Sequence, residues 1–288
     1  MPDPYSALWV SHTSISSFLK CPRAYFLQSV YKDPATRHKI QLMAPPLALG
    51  QAVHEVLESL SILSVDQRFS RSLIGRFEQA WKKVAGKKGG FLSQDQEMVY
   101  TQRGEAMLHR VMAHPGPLKR KAIKIKTDLP QYWISEADEI ILCGKIDWLE
   151  YLESEDSVNI IDFKTSTKEE EDNSLQLPIY HLLVHNIQHR RVAKVSYWYL
   201  EKNDDLTEKQ LPNLVQAHEQ VMEVAKKMKL QRKLGIFNCP QGELGCFYCR
   251  PLEKIIRGEA ELVGTNGRQD IYILPNDSTK QGFESEVL

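Results

Sequence analysis

The sequence predicts an α/β fold in which a mixed central sheet is flanked by helices and carries a helical cap. Three observations predict it. Apolar residues recur at helical spacing through the first 113 residues, β-rich runs crowd between residues 121 and 164, and a helix, strand, helix succession closes the core. The helical segments fall near 14–30, 47–64, 69–85 and 92–113, and those between about 60 and 115 form the cap. Strands follow at roughly 121–127, 131–135, 139–151 and 158–164. A helix over 174–189, a strand over 194–200 and a long helix near 213–234 complete the core, and 269–274 reads as a short added strand. The glycine-rich run at 86–90 lies between two helical patterns and reads as a loop, not a linker. One domain is expected over 1–275, followed by a polar, mobile tail at 276–288.

Composition narrows the function classes. With 37 basic against 37 acidic residues, the chain has no overall field for nucleic acid, so any such attraction is local. Candidate patches are Lys82, Lys83, Lys87 and Lys88 beside Trp81, then Lys119, Arg120, Lys121, Lys124 and Lys126, and Lys20 with Arg23. Each reads equally as a solvated face. No secretory signal or membrane-spanning run is visible, which points to a cytoplasmic location, reduced thiols and no membrane partner.

The chemistry concentrates between residues 143 and 180. In a strand, residues two apart share a face, so Asp162 and Lys164 project together while Ile161 and Phe163 turn to the core. An Asp-x-Lys pair is common on solvated strands. Here Ile160, Ile161 and Phe163 mark a buried strand, where an unpartnered charge is costly. Asp147 ends a preceding strand pattern, and a polar turn at 153–157 folds that strand back as a hairpin, which brings a second carboxylate alongside. Upstream, His54 and Glu58 lie i, i+4 on a helix whose apolar stripe is Val53, Val56, Leu57 and Leu60, and Gly50 leaves room for another backbone near the helix start. Gln176 and Tyr180 are likewise i, i+4 on a helix expected to begin at Asn173 and Ser174. His181, His185 and His189 repeat every fourth residue on that helix. Each is offset by about 100° from the Gln176 face, so they read as a solvated or groove-lining row and not as metal ligands.

Taken in order, G-x-x-x-H-x-x-x-E at 50–58, G-x-x-D at 144–147, D-F-K-T at 162–165 and Q-x-x-x-Y at 176–180 resemble the RecB-like nucleases of the PD-(D/E)xK superfamily. The resemblance implies a restriction-endonuclease-like core that cuts DNA phosphodiesters to leave 5′-phosphate and 3′-hydroxyl ends. It implies that His54, Asp147 and Asp162 bind Mg²⁺ or Mn²⁺ with the Phe163 carbonyl, that Lys164 orients the attacking water, and that Gln176 and Tyr180 face the scissile nucleotide. A sequence-tolerant exonuclease acting on single-stranded DNA is expected, with Tyr180 stacking on a base, in repair and recombination or in CRISPR spacer processing. Having no P-loop, the chain would take unwinding from a helicase partner, and a CRISPR integrase is the other expected partner. The competing expectation is a vestigial nucleic-acid-binding or scaffolding module with a structural metal staple.

Cysteines supply a second constellation. Cys239, Cys246 and Cys249, spaced C-x6-C-x2-C, read as three thiolate ligands, and Cys21 before Pro22 would be the fourth, which would join the two ends of the domain. Similar clamps in the AddB branch and the CRISPR-associated Cas-four family hold a four-iron four-sulfur (4Fe-4S) cluster, which the resemblance implies here. The usual C-terminal spacing places the isolated cysteine after the C-x2-C pair, whereas Cys239 precedes it, and four thiolates equally suit zinc. Cys143, inside an apolar strand, reads as a small buried hydrophobe.

Overall fold

The computed structural model describes residues 3–275, so the tail expected at 276–288 lies outside the described residues. The chain begins with β1 (Leu8–Val10), α1 (His12–Lys20) and α2 (Pro22–Tyr25), which runs on as a π-helical turn to Val30. It continues through β2 (Lys39–Leu42), α3 (Pro45–Glu58), α4 (Leu73–Trp81) and α5 (Gln94–Ala113) to β3 (Gln131–Ser135) and β4 (Ile140–Cys143). Then come β5 (Trp148–Leu152), β6 (Ser157–Lys164), α6 (Gln176–Ile187), β7 (Arg191–Tyr199), β8 (Thr207–Lys209) and α7 (Leu214–Leu234). Helix α8 (Arg250–Ile256) and the hairpin β9 (Glu261–Asn266) and β10 (Gln269–Ile273) end the described chain.

Local chemistry sets several of these boundaries. Ser11 and Ser14 form a reciprocal capping box that starts α1. Cys21 ends that helix in extended backbone and caps α2, with Pro22 in the first helical position. Two prolines open α3, where missing N–H groups cost nothing. Asn213 caps α7, and Gly235, at φ 67, closes it in the left-handed conformation.

The main sheet has the order β5-β6-β7-β8, with β6 antiparallel to β5 and parallel to β7. Both faces of β6 are covered. On one, Ile160 packs with Leu183 of α6 and Val221 of α7; on the other, Ile161 and Phe163 join Val53 of α3, Phe77 of α4 and Leu108 of α5. The helical cap is thus a packed layer that shares a core with the sheet. Burying Phe163 and Trp198 on that side contributes on the order of 2 kcal/mol each.

The structure corrects several expectations. The strand expected at 139–151 is two strands in different sheets, because the chain leaves β4, which pairs with β1 and β3, and enters β5 beside β6. The break at 144–147 exposes Lys145 and sets Asp147 immediately before β5. The run at 121–127 forms no strand and makes one bridge, Ala122 to Glu150. Gly50 lies inside α3, not at its start, and a Cβ there would meet the Thr165 hydroxyl at 3.4 Å, a side chain and not another backbone. Helix α6 begins at Gln176, whose N–H donates to Ser174 Oγ at 3.3 Å.

A third sheet, β2-β10-β9, was anticipated only in its strand at 269–273. It pairs β10 parallel to β2 and so ties the start of the chain to its end. Asp270 anchors the seam: its buried carboxylate accepts from Thr36 Oγ1 at 2.7 Å and Thr265 Oγ1 at 3.1 Å, and it pairs with His38 Nδ1 at 2.9 Å. Burial opposes that charge, but His38 and the two threonines outweigh it and hold the carboxyl below its usual value. A depressed folded pKa gives stability that is present above the unfolded carboxylate pKa and lost as pH falls through the folded one. Thermal melts should therefore show Asp270→Asn less stable than wild type at neutral pH, the difference shrinking as the pH is lowered below about 4.

Candidate metal centre and cysteine centre

Two clusters of metal-capable side chains stand out among the described residues. In the first, donor atoms of His54, Glu58 and Asp147 all lie within 4.8 Å of one another. Helix α3 offers His54 and Glu58 from successive turns, and the approach to β5 supplies Asp147. His54 Nδ1 sits 3.3 Å from Asp147 Oδ1 and 3.8 Å from Glu58 Oε1. The other Asp147 oxygen accepts from the Phe163 N–H at 2.9 Å, which locks this carboxylate against β6. Burial disfavours charge on His54, yet the Asp147 and Glu58 carboxylates override it and raise its pKa to about 10. Such a density of negative charge is what a divalent cation would neutralise.

Asp162 and Lys164 lie on the same strand, side by side as their spacing predicts. Lys164 Nζ is 3.0 Å from Asp162 Oδ2 and 3.2 Å from Glu170 Oε2, and it donates to Gln176 Oε1. Gln176 Nε2 donates to Asp162 Oδ1 at 2.8 Å and to the Tyr180 hydroxyl at 3.3 Å. Asp162 is 3 % exposed, and burial, then the Asp147 carboxylate, push its pKa well above the usual carboxylate range. Its Oδ2 accepts no well-formed hydrogen bond, although the Lys164 ammonium is near. A buried carboxylate oxygen left open in this way fits a cation ligand. Hard oxygen donors suit Mg²⁺ or Mn²⁺, and the imidazole tilts the set toward Mn²⁺.

Of the expected site residues, the structure groups His54 with Asp147, and separately joins Asp162, Lys164, Gln176 and Tyr180 in one hydrogen-bonded chain. The link between the two sets is the Phe163 backbone. Tyr180 departs from its expected part, because its ring is 9 % exposed and has little face to offer a base. Glu170 was not anticipated. It lies in an irregular loop, where no periodicity marks it, yet it pairs with Lys164 as Asp162 does, and it accepts from Ser174 Oγ at 2.7 Å. His181 is buried with Nδ1 against the Pro212 carbonyl at 2.8 Å, not solvated, while His185 and His189 are exposed.

The second cluster is Cys21, Cys239, Cys246 and Cys249, all buried, with every sulfur within 4.8 Å of the others. Backbone N–H groups point at three of the sulfurs. Cys246 N donates to Cys249 Sγ at 3.1 Å, Gln241 N to Cys239 Sγ at 3.4 Å, and Ala24 N to Cys21 Sγ at 3.5 Å. These donors favour thiolates, although burial outweighs them at Cys21, pushed up to about 12, and at Cys249, also raised. Burial would raise Cys246, but the N–H groups of Cys249 and Tyr248 pull it down to about 7. Gly245, at φ 74, makes the turn possible, since a Cβ there would stand 3.0 Å from Cys249 Sγ. Cys143 stays apart, donating to the Val10 carbonyl at 3.5 Å, with burial raising its thiol to about 11.

The basic patches are partly answered by carboxylates: Lys83 by Glu55, Lys87 by Glu261, Arg120 by Glu150, Lys121 by Glu153 and Arg23 by Glu253. Among the described residues, no helix is long and apolar enough to cross a membrane. No curated protein matches the chain. A model of the PD-(D/E)XK nuclease superfamily does match, over residues 9–251, so the match runs from β1 into α8 and takes in both donor clusters and the elements that carry them. The chain therefore belongs to the PD-(D/E)XK nuclease superfamily.

Proposed function

We propose that this protein is a divalent-metal-dependent deoxyribonuclease that degrades DNA from ends and prefers single strands. The observation that carries the reading is the His54–Glu58–Asp147 donor group beside the Asp162–Lys164 pair. His54, Asp147 and Asp162 would hold Mg²⁺ or Mn²⁺ with the Phe163 carbonyl, and Glu58 is a further donor in reach. The metal supplies charge neutralisation at the phosphate and a water of lowered pKa. Lys164 positions the attacking water, and Glu170 and Gln176 hold the ammonium from two sides. Tyr180 supports Gln176 through its hydroxyl. Since Asp162 and Gln176 are both nearly fully buried, a flexible strand end reaches them more readily than a stiff duplex.

End-labelled linear single-stranded DNA, its duplex and a closed single-stranded circle, each incubated with Mn²⁺, test this reading. The linear strand should be cut fastest, to products bearing 5′-phosphate, and the circle should resist. A circle cut as fast as the linear form would replace the exonuclease with an endonuclease, and inert protein would favour a vestigial nucleic-acid-binding module.

The four thiolates are proposed to hold an iron–sulfur cluster, in keeping with the resemblance. A single zinc ion is the second reading, favoured by the close sulfur spacing: tetrahedral Zn–S bonds of about 2.3 Å set sulfurs roughly 3.8 Å apart, and Cys246 and Cys249 Sγ are 3.8 Å apart. Anaerobically purified protein should be brown, with iron and acid-labile sulfide. Colourless protein with one zinc per chain would establish the second reading. Recombination, repair and CRISPR spacer processing are the settings proposed for the activity, with a helicase or an integrase as partner.

A further inference from the structure

Helix α1 has one face that neither the nuclease site nor the cysteine centre uses. His12, Ser16 and Lys20 recur there at every fourth position, so they form a single stripe. The whole stripe lines a cavity of about 460 Å³ that also reaches Lys164 and Ser166. A second cavity, of about 280 Å³, shares His12, Ser16 and Lys20 and extends to Gln28 and Tyr248. The two form one groove from the catalytic lysine to the cysteine centre.

Away from Lys164 the groove meets an exposed aromatic, Tyr248 at 45 % exposure, whose neighbour Phe247 is 79 % exposed. They are the two residues between Cys246 and Cys249, so a metal held by those thiolates fixes their backbone. Their rings are 5.6 Å apart and nearly perpendicular, and Lys20 Nζ lies 5.7 Å from the centre of the Tyr248 ring. Two adjacent exposed aromatics beside a groove form a contact patch, unlike a single scattered apolar residue. The groove wall itself is polar, with hydroxyls at Ser16 and Ser17 and an amide at Gln28. Along α1, His12 makes no hydrogen bond among the described residues, and burial lowers its pKa to about 4, so it meets the groove as a neutral ring. Glu169, Glu170 and Glu171 also line the cavity, with Lys168 and Lys164, so a polyanion is best placed along the α1 side.

We propose that this groove binds the unpaired strand of a nucleic-acid substrate, with Tyr248 and Phe247 as a base-stacking platform at the end remote from the scissile phosphate. The inference rests on the nuclease reading and deepens it. Hydroxyls and a lysine suit a phosphodiester backbone, and an exposed aromatic suits any base because every base has a π-face. From His12 to Lys20 the helix rises about 12 Å, enough for roughly three nucleotides at a stacked spacing of ~3.4 Å. The cysteine centre thereby becomes part of the substrate path as well as a fastening.

Fluorescence anisotropy on full-length protein without added divalent metal tests the proposal, with fluorescein-labelled oligothymidylates of four and twelve nucleotides as probes. Tyr248→Ala should weaken the twelve-mer about tenfold, within the range of one lost base stack, and leave the four-mer unchanged. Tyr248→Phe should retain wild-type affinity. Lys20→Glu, whose side chain is not a sulfur ligand, should weaken the twelve-mer and flatten its salt dependence, which keeps the test valid if Tyr248→Ala loses its metal. Unchanged twelve-mer affinity in both Tyr248→Ala and Lys20→Glu would overturn the groove. Cleavage by wild type is measured separately: cutting with unaltered affinities sinks only this inference, while altered affinities without any cutting sink only the nuclease reading.

Discussion

Asp162→Ala is expected to lower the cleavage rate at least a hundredfold while the protein remains folded. The loss follows from removing a carboxylate that would ligate the metal, which costs at least about 2.7 kcal/mol of transition-state stabilisation. Retention of the fold follows from burial. Asp162 sits beside another carboxylate in a site that raises its pKa, so its charge is itself unfavourable in the metal-free protein. Melting temperature should hold or rise in Asp162→Ala as activity collapses, the pattern of a residue kept for chemistry. Lys164→Ala should abolish cutting equally but lower the melting temperature, because it leaves Asp162 and Glu170 without their shared cation. Near-wild-type turnover by purified Asp162→Ala would remove Asp162 from the mechanism.

The second large effect is on stability. Cys21→Ala should release the metal of the cysteine centre and lower the melting temperature by on the order of 10 °C, the shift expected for several kcal/mol in a chain of this size. Cys21 is the one N-terminal member of the four-cysteine group, and it also ends α1 and caps α2. Its loss therefore frees a helix junction along with a sulfur. Cys143→Ala is the control, since that thiol touches no other cysteine among the described residues and should leave metal content unchanged. Full metal content in Cys21→Ala, measured by elemental analysis, would remove Cys21 from the centre.

Much of the site was legible because its residues sit on regular elements. Asp162 and Lys164 are two apart on a strand flagged as buried by Ile160, Ile161 and Phe163, and Gln176 and Tyr180 are four apart on a helix. Periodicity assigns such residues a face. Glu170 escaped for the opposite reason, lying in an irregular loop where sequence spacing says nothing about direction. The strand expected at 139–151 failed because the apolar residues on either side of Gly144-Lys-Ile-Asp147 read as one strand pattern, which does not reveal that the chain changes sheets there. A Cβ at Gly144 would come within 2.9 Å of Leu183 on α6, so close helix packing, a tertiary contact, selects the glycine. Strands β1, β2 and β9 are three to six residues long and exist through their partners, not through any pattern of their own. Tyr180 was misread because helical spacing gives a direction but not a depth.

The parallel seam of β2 with β10 has a bearing on how the protein comes into being. Thr36 and Asp270, which meet there, are separated by 234 positions, and Arg23 reaches Glu253 across 230. Contacts so distant along the chain form late, because a long loop must close before they reward it. As the ribosome delivers the polypeptide from its amino end, Asp147 and Asp162 emerge well before β10 does. Helix α1, which borders a cavity with Lys164, waits for residues 239–249 before its carboxyl end is fastened at Cys21. A chain that stops short of Cys246 would carry His54, Asp147, Asp162 and Lys164, yet the helix beside Lys164 would lack its fastening.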